Sequence, residues 1–490
     1  MFPWKSTLII DSLASRAKYL QLTDQLIKEI SAGRLVPGQK IPGTRQLAGL
    51  LNVNRKTVIM AFEELQAQGW LDIKSSSGTY VSMKLPITNA KSISSSNIPY
   101  DNFNIRLINN YDFIPSYESI SSASINIDGG SPDYRLAPID WLYKECRSLS
   151  KSNYGQRLLA YGGVKGNEEL RISLAKYLGE TRGMILSKEN ILITRGSQMG
   201  IFLTMSGLLK PSNNVVFGST SYDAAEWAAL NSQANIIRVN VDQNGIDTDH
   251  LASICMQQKV HMVYVTPHHH FPTTVTLSNE RRIHLLQLSL KYKFVILEDD
   301  YDYDFHYASN PILPLASLNA GGNVIYIGSF SKIFAPNVRV GYLVANEEVI
   351  ENLSRLRRII DRQGDQIMQR VIAESITSGE LNRHLKKSLN VYRHRRDSFS
   401  KMIDSEISDY ATYKMPEGGM AIWCEFKGLK LEELKPIINS RGLYMDIDPD
   451  LSMRFNALRL GFASINEKEQ KKAFEILGPA VKQLASSTSS

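Results

Sequence analysis

Tyr326-Ile327-Gly328-Ser329-Phe330-Ser331-Lys332 closes a short apolar run, Val324–Ile327, and Arg339 follows seven residues later. A brief β-rich run that ends in glycine reads as a buried strand. A lone Ser-x-Ser-Lys is weak evidence, but two more runs end in the same way. Phe294–Leu297 leads into Glu298-Asp299-Asp300-Tyr301, and Ile191–Thr194 leads into Arg195-Gly196-Ser197-Gln198. Val215–Phe217 and Met262–Thr266 are further strands of this kind, and amphipathic helical patterns separate them. Strands that alternate with helices over this length predict a large α/β domain with a parallel or mixed sheet. The acidic run after Leu297, taken alone, reads as a solvated loop.

All three motifs fall at the carboxyl ends of strands, where open α/β sheets bind ligands. Together they supply a phosphate cradle at a helix start, a carboxylate, a phenol and a lysine. That set fits pyridoxal 5′-phosphate. The cofactor needs an amine to hold its aldehyde, a carboxylate to keep the pyridine nitrogen protonated, and a phenol beside the ring hydroxyl. His268-His269-His270 tempts a metal reading. Consecutive residues on extended chain alternate faces, so no metal is expected.

The amino-terminal stretch reads differently. Leu22, Leu26 and Ile30 give a helix with one apolar face, ended by Gly33. A short helix runs from Arg45 to Leu51, Asn52-Val53 turns the chain, and Asn54 caps a longer helix from Arg55 to about Gly69. Two helices joined by a tight turn make a helix-turn-helix, whose second helix enters the major groove by its N-terminus. Trp70–Ile73 and Thr79–Val81 form a hairpin wing turning through Lys74–Gly78. Arg45, Arg55, Lys56 and Thr57 are the expected DNA contacts, Arg55 at a base edge and Arg45 and Lys56 at phosphates. Gly78 allows close backbone approach to a phosphate.

Charge agrees with this division. Residues 1–84 hold 11 Lys+Arg against 6 Asp+Glu, whereas the other 406 residues hold 45 against 43. A basic segment on a nearly neutral body points to nucleic acid. At 490 residues the chain is too long for one core. The expected division is a DNA-binding domain at 12–83, a linker at 84–124 with nine serines, and a cofactor-binding domain at 125–490. Tyr100, Phe103, Tyr111, Phe113 and Tyr117 suggest that parts of the linker dock on a neighbour. No eighteen-residue apolar run exists, which excludes a membrane span, and MFPWKSTLII is a poor secretory signal, so a cytoplasmic location is expected. Cys146, Cys255 and Cys424 are too widely spaced for a local metal or redox motif.

Residues 12–83 resemble the winged-helix domain of the GntR family. The resemblance rests on Ala32-Gly33-Arg34-Leu35-Val36-Pro37-Gly38, Arg45-Gln46-Leu47-Ala48, Asn54-Arg55-Lys56-Thr57-Val58, Ala61-Phe62-Glu63-Glu64-Leu65 and Gly78-Thr79-Tyr80-Val81. Gly43 stands where that family usually has a capping Ser, and Ser76 where the wing has Gly. The order and spacing of the later motifs resemble the fold-type I aminotransferases. That resemblance implies Lys332 as the lysine bonded to the cofactor, Asp299 at the pyridine nitrogen and Tyr301 at the ring hydroxyl. It implies Ser197, Gln198, Ser329 and Arg339 at the phosphate, Tyr222 stacked on the ring, and Tyr161 reaching the phosphate of a neighbouring subunit. Arg459, in Leu458-Arg459-Leu460-Gly461-Phe462-Ala463, would grip a carboxylate. The whole chain is similar to the MocR subgroup of GntR regulators, to which Gly130-Ser131-Pro132-Asp133, Pro138 and Trp141 also conform. His270 and Thr274 depart from the commoner Gln and Gly, and Gly163-Val164 from a frequent Asp-Pro.

The resemblance implies a homodimeric, pyridoxal-phosphate-dependent transcription regulator. It would bind a double-stranded operator and sense a small amine, an amino acid or the cofactor itself, without being a metabolic enzyme. A working aminotransferase that carries a DNA-binding domain is the alternative. A DNA-binding protein whose large domain only dimerises is a third reading.

Overall fold

The computed structural model describes residues 2–11, 14–74, 77–86, 111–115, 125–307, 312–318 and 322–488. The chain forms two compact units, Met1–Asn110 and Tyr111–Ser490.

In the first unit, helix Lys18–Ser31 buries Leu22, Leu26 and Ile30, as their four-residue spacing requires. Helix Thr44–Leu51 starts at Gly43 without a side-chain cap, a consequence of glycine standing where Ser is usual. Asn52, in the left-handed region, turns the chain, and the Asn54 side chain accepts from Lys56 N at 2.8 Å to open helix Arg55–Ala67. Strands Leu71–Lys74 and Gly78–Val81 pair antiparallel as the wing, and Lys40–Ile41 adds a third strand. The Ser76 departure lies outside the described residues. The core begins ahead of residue 12, because Leu8 is buried in it and Phe2, Trp4 and Ile10 pack against it. The side-chain amides of Gln25 and Gln21 bind the backbone of Ile9 and Asp11, taking the place of sheet hydrogen bonds. Of the linker aromatics, Tyr111 and Phe113 lie 6.0 Å apart between ring centroids, while Tyr100, Phe103 and Tyr117 lie outside the described residues.

The second unit is built on a seven-stranded sheet. Its order is Ile191–Thr194, Gly341–Val344, Val324–Ser329, Val295–Asp300, Met262–Val265, Asn214–Gly218 and Asn235–Val239. All run parallel except Gly341–Val344, which is antiparallel to both neighbours. Both faces are covered, with Leu297 packing into one apolar cluster and its neighbour Ile296 into another. That double burial explains the unbroken apolar runs in the sequence. A second, antiparallel sheet joins Ala411–Tyr413, Ala421–Phe426 and Ala457–Gly461. Ile125–Ile127 pairs in parallel with Leu443–Met445, so the start of this unit is tied to its carboxyl-terminal part. No helix among the described residues is long and apolar enough to cross a membrane.

The acidic run is not a solvated loop. Glu298, Asp299 and Asp300 are buried within strand Val295–Asp300 because each has an internal partner. Glu298 accepts from Leu315 N and Ala316 N, Asp299 from the Tyr264 hydroxyl, and Asp300 from the Tyr326 hydroxyl.

Candidate functional site

A cavity of about 110 Å³ opens at the carboxyl ends of these strands. It brings together six of the expected residues: Ser197, Tyr222, Asp299, Tyr301, Lys332 and Arg459. Tyr264, Phe271 and Gly129 line it as well, none of which the motifs singled out.

Lys332 Nζ donates to Gly130 O at 2.7 Å. Burial lowers its pKa, against the pull of Asp128, and a lowered pKa makes an amine more available as a nucleophile. Burial pushes the Asp299 carboxyl up to about 7; Tyr264 works against the rise, while Asp300 and Asp302 add to it. Asp299 Oδ2 accepts from Tyr264 at 2.7 Å, but Oδ1 is buried without any hydrogen-bond partner. Tyr301 donates to His269 O at 3.0 Å and accepts from Arg459 Nη2 at 3.2 Å, and burial raises its pKa. The half-buried Tyr222 ring meets Phe271 edge-on at 5.5 Å.

The phosphate end is set by close packing. Gly196, at φ +80°, precedes helix Ser197–Leu208, which has no side-chain cap, so its first N–H groups remain free for an anion. The Arg339 guanidinium lies against this turn, where a Cβ on Gly196 would come within 2.9 Å of Nη2. Arg339 Nη2 also donates to Arg195 O at 2.8 Å. Ser329 pairs with Gly341, whose backbone packs directly on Gly196. Ser197, Ser329 and Arg339 therefore converge. Gln198 lies exposed in the first helical turn, outside the cavity lining. Tyr161 is 79% exposed and does not line the cavity; the Arg362 guanidinium covers its ring at 4.2 Å.

Arg459 is held from three sides. Nε donates to Gly129 O and Nη1 to Pro272 O, each at 2.8 Å, while the guanidinium lies 4.9 Å from the Phe271 ring. With Tyr301 these bonds use three of five N–H groups and leave two for a ligand. The three histidines go separate ways. His268 faces Asp300 at 3.1 Å, His269 faces Asp302 at 2.8 Å, and His270 meets Thr273 Oγ1 at 2.8 Å. Thr274 sits at φ +62°, which accounts for the commoner glycine there and strains a β-branched residue.

These residues fit pyridoxal phosphate. Asp299 Oδ1 lacks the partner a pyridinium N–H supplies, and the buried Ser331 Oγ is also unpaired beside the phosphate end. At the Gly196 turn the Arg339 guanidinium packs so closely that a Cβ would displace it, which keeps a cation against the helix start.

On the first unit, Arg45, Arg55 and Lys56 are exposed, and Thr57 is half-buried. Arg55 Nε reaches Thr44 Oγ1 at 3.4 Å, across the turn between the two helices. Gly78, at φ +115°, is covered by the Lys40 side chain. The ammonium groups of Lys40 and Lys74 stand 5.8 and 5.4 Å from the Tyr80 ring, giving the wing two cations that the motif reading missed. In the sequence Lys74 stands at the hairpin turn, whereas Lys40, on the separate strand Lys40–Ile41, carries no signal of its place beside Tyr80.

Comparison with known proteins agrees with this fold. Residues 127–477 match the family model for aminotransferase class I and II, and residues 18–81 match that for bacterial regulatory proteins of the gntR family. YdfD of Bacillus subtilis, named an HTH-type transcriptional regulator, is 28% identical over 472 residues, 96% of this chain and 97% of that protein. MocR of Rhizobium meliloti is 25% identical over 490 residues, 98% of this chain and 97% of its own length. The structure of a Pyrococcus horikoshii kynurenine aminotransferase, described as a complex with PMP, superposes with a TM-score of 0.68 at 28% identity. It covers 74% of this chain and 91% of that one. The chain thus belongs to the class I and II aminotransferase family and, with its gntR-family domain, to the MocR-type helix-turn-helix regulators.

Proposed function

We propose that this protein is a transcription regulator that reads an operator through its winged helix. Its pyridoxal-phosphate pocket senses a small amine or amino acid, or the cofactor itself. The observation that carries this reading is one chain holding both an exposed Arg55–Lys56 helix start and an assembled lysine–carboxylate–phenol cavity. When bound, pyridoxal phosphate supplies an aldehyde for amines and a ring that accepts electrons. Lys332, whose Nζ now donates to Gly130 O, would hold the cofactor through its aldehyde, and the unpartnered Asp299 Oδ1 would accept from the pyridine nitrogen. Ser197, Ser329 and Arg339, with the free amides of the helix start, would hold the phosphate, and Gln198, exposed in the same turn, would add a donor only from outside the cavity lining. Tyr222, which meets Phe271 edge-on, would pack on the ring, and Tyr301, whose hydroxyl donates to His269 O, would serve the ring hydroxyl. The two remaining N–H groups of Arg459 bind an effector carboxylate bidentately.

A homodimer belongs to this reading, in which Tyr161, exposed and outside the cavity of its own chain, would reach the phosphate of a second copy. A two-fold assembly would also set two wings on paired half-sites. An effector must favour one domain arrangement to alter DNA binding, and tenfold coupling needs about 1.4 kcal/mol. The second reading, an active aminotransferase, draws on the same cavity, since Lys332, Asp299, Tyr301 and Arg459 are all in place. A panel of amines and amino acids separates the two. Altered operator affinity without release of a 2-oxo acid supports regulation; release without any change in operator affinity supports the enzyme.

A further inference from the structure

Tyr264 lies on strand Met262–Val265, whose parallel register with Val295–Asp300 sets it opposite Leu297. Side chains alternate faces along a strand, so Leu297 and Asp299 share the face on which Tyr264 packs. The Tyr264 hydroxyl reaches Asp299 Oδ2 at 2.7 Å, and the Phe217 ring, 5.4 Å away, fixes the phenol from the side. Asp300 and Asp302, flanking in sequence, have other partners in Tyr326, His268 and His269. Among the described residues, Tyr264 is the only hydrogen-bond donor to the Asp299 carboxylate.

We infer that Tyr264 is the positioning residue for Asp299, filling one carboxylate oxygen and aiming the other at the pyridine nitrogen. This assignment rests on the pyridoxal phosphate reading of the cavity. A phenol presents its one proton to the carboxylate and thereby favours the ionised form. Burial and the two neighbouring aspartates oppose that form. An ionised Asp299 holds a protonated pyridine nitrogen; a neutral one does not. Tyr264 touches the cofactor's partner rather than the reacting atoms, so its effect should depend on the ring nitrogen.

The test uses the full chain freed of cofactor and titrates it with two probes. One is pyridoxal phosphate; the other is its analogue with C–H in place of the ring nitrogen. Tyr264→Phe should bind pyridoxal phosphate about tenfold more weakly than wild type, equivalent to about 1.4 kcal/mol. Its affinity for the carbon analogue should be unchanged. A variant that weakens both probes equally, or neither, overturns the assignment. If the Phe variant does not fold, a ring-fluorinated tyrosine at position 264 keeps the shape and strengthens the donor. It should tighten binding of pyridoxal phosphate alone, and no change would overturn the assignment. Failure of wild type to bind pyridoxal phosphate would instead strike the cofactor reading itself.

Discussion

Replacing Gly196 by Ala should separate phosphate binding from aldehyde binding. Gly196 sits at φ +80°, ψ 174°, a region that residues with a Cβ avoid at a cost of about 1–3 kcal/mol. A Cβ there would lie 2.9 Å from Arg339 Nη2 and 3.2 Å from Cζ, so the guanidinium must move away from the helix start. Losing one hydrogen bond to a charged phosphate costs about 1.5–3 kcal/mol, or roughly 10- to 150-fold in affinity. Equilibrium titrations with pyridoxal phosphate and with pyridoxal, which lacks the phosphate, measure this directly. Gly196→Ala should bind pyridoxal phosphate in that weaker range and pyridoxal as wild type does. Unchanged affinity for pyridoxal phosphate would refute the phosphate placement, and equal losses for both would refute the packing argument.

Lys332→Ala should retain the fold, yet borohydride treatment with pyridoxal phosphate should leave no adduct on the tryptic peptide spanning position 332, which mass spectrometry reads. Arg55→Ala should cost about 1–3 kcal/mol of operator affinity and relax specificity, whereas Lys56→Ala should lower the salt slope by about one unit; binding curves at several salt concentrations give both. His270 is buried beside Arg459, and the two effects lower its pKa from 6.5 to about 4. Below pH 6.5 the unfolded chain takes up a proton there that the folded chain accepts only near 4. Stability should therefore fall across that window by up to about 3 kcal/mol, and His270→Gln should show a smaller fall in parallel denaturant titrations. Sedimentation of the cofactor-loaded protein should give a dimer; a cofactor-loaded monomer at working concentration would remove the proposed role of Tyr161.

Much of the fold is legible because burial on both faces leaves runs such as Val215–Phe217 and Met262–Val265 uninterrupted by polar residues. The helix-turn-helix is legible because capping and turning need particular residues, Asn54 and Asn52. Direction is not legible. Gly341–Val344 is as apolar as its parallel neighbours, and only its pairing between Ile191–Thr194 and Val324–Ser329 shows it to be antiparallel. The edge strand Asn235–Val239, only partly buried, lacks the apolar signature. The acidic run misleads because its partners lie far along the chain, at Tyr264, Leu315 and Ala316. Tyr264 stays hidden for a related reason: an aromatic in an apolar run reads as core until its neighbour across the sheet is known, while Phe271 lies in the loop after that strand.

In the proposed regulator, one chain couples operator reading to ligand binding in the aminotransferase-type pocket. Titrating the cofactor-loaded protein with each ligand that changes its visible spectrum, with and without operator DNA, tests it most directly. Coupling is reciprocal, so ligand affinity should shift on adding operator by the same factor by which that ligand shifts operator affinity. Identical ligand affinities in both conditions, for every such ligand, would contradict regulation and leave the aminotransferase reading in its place.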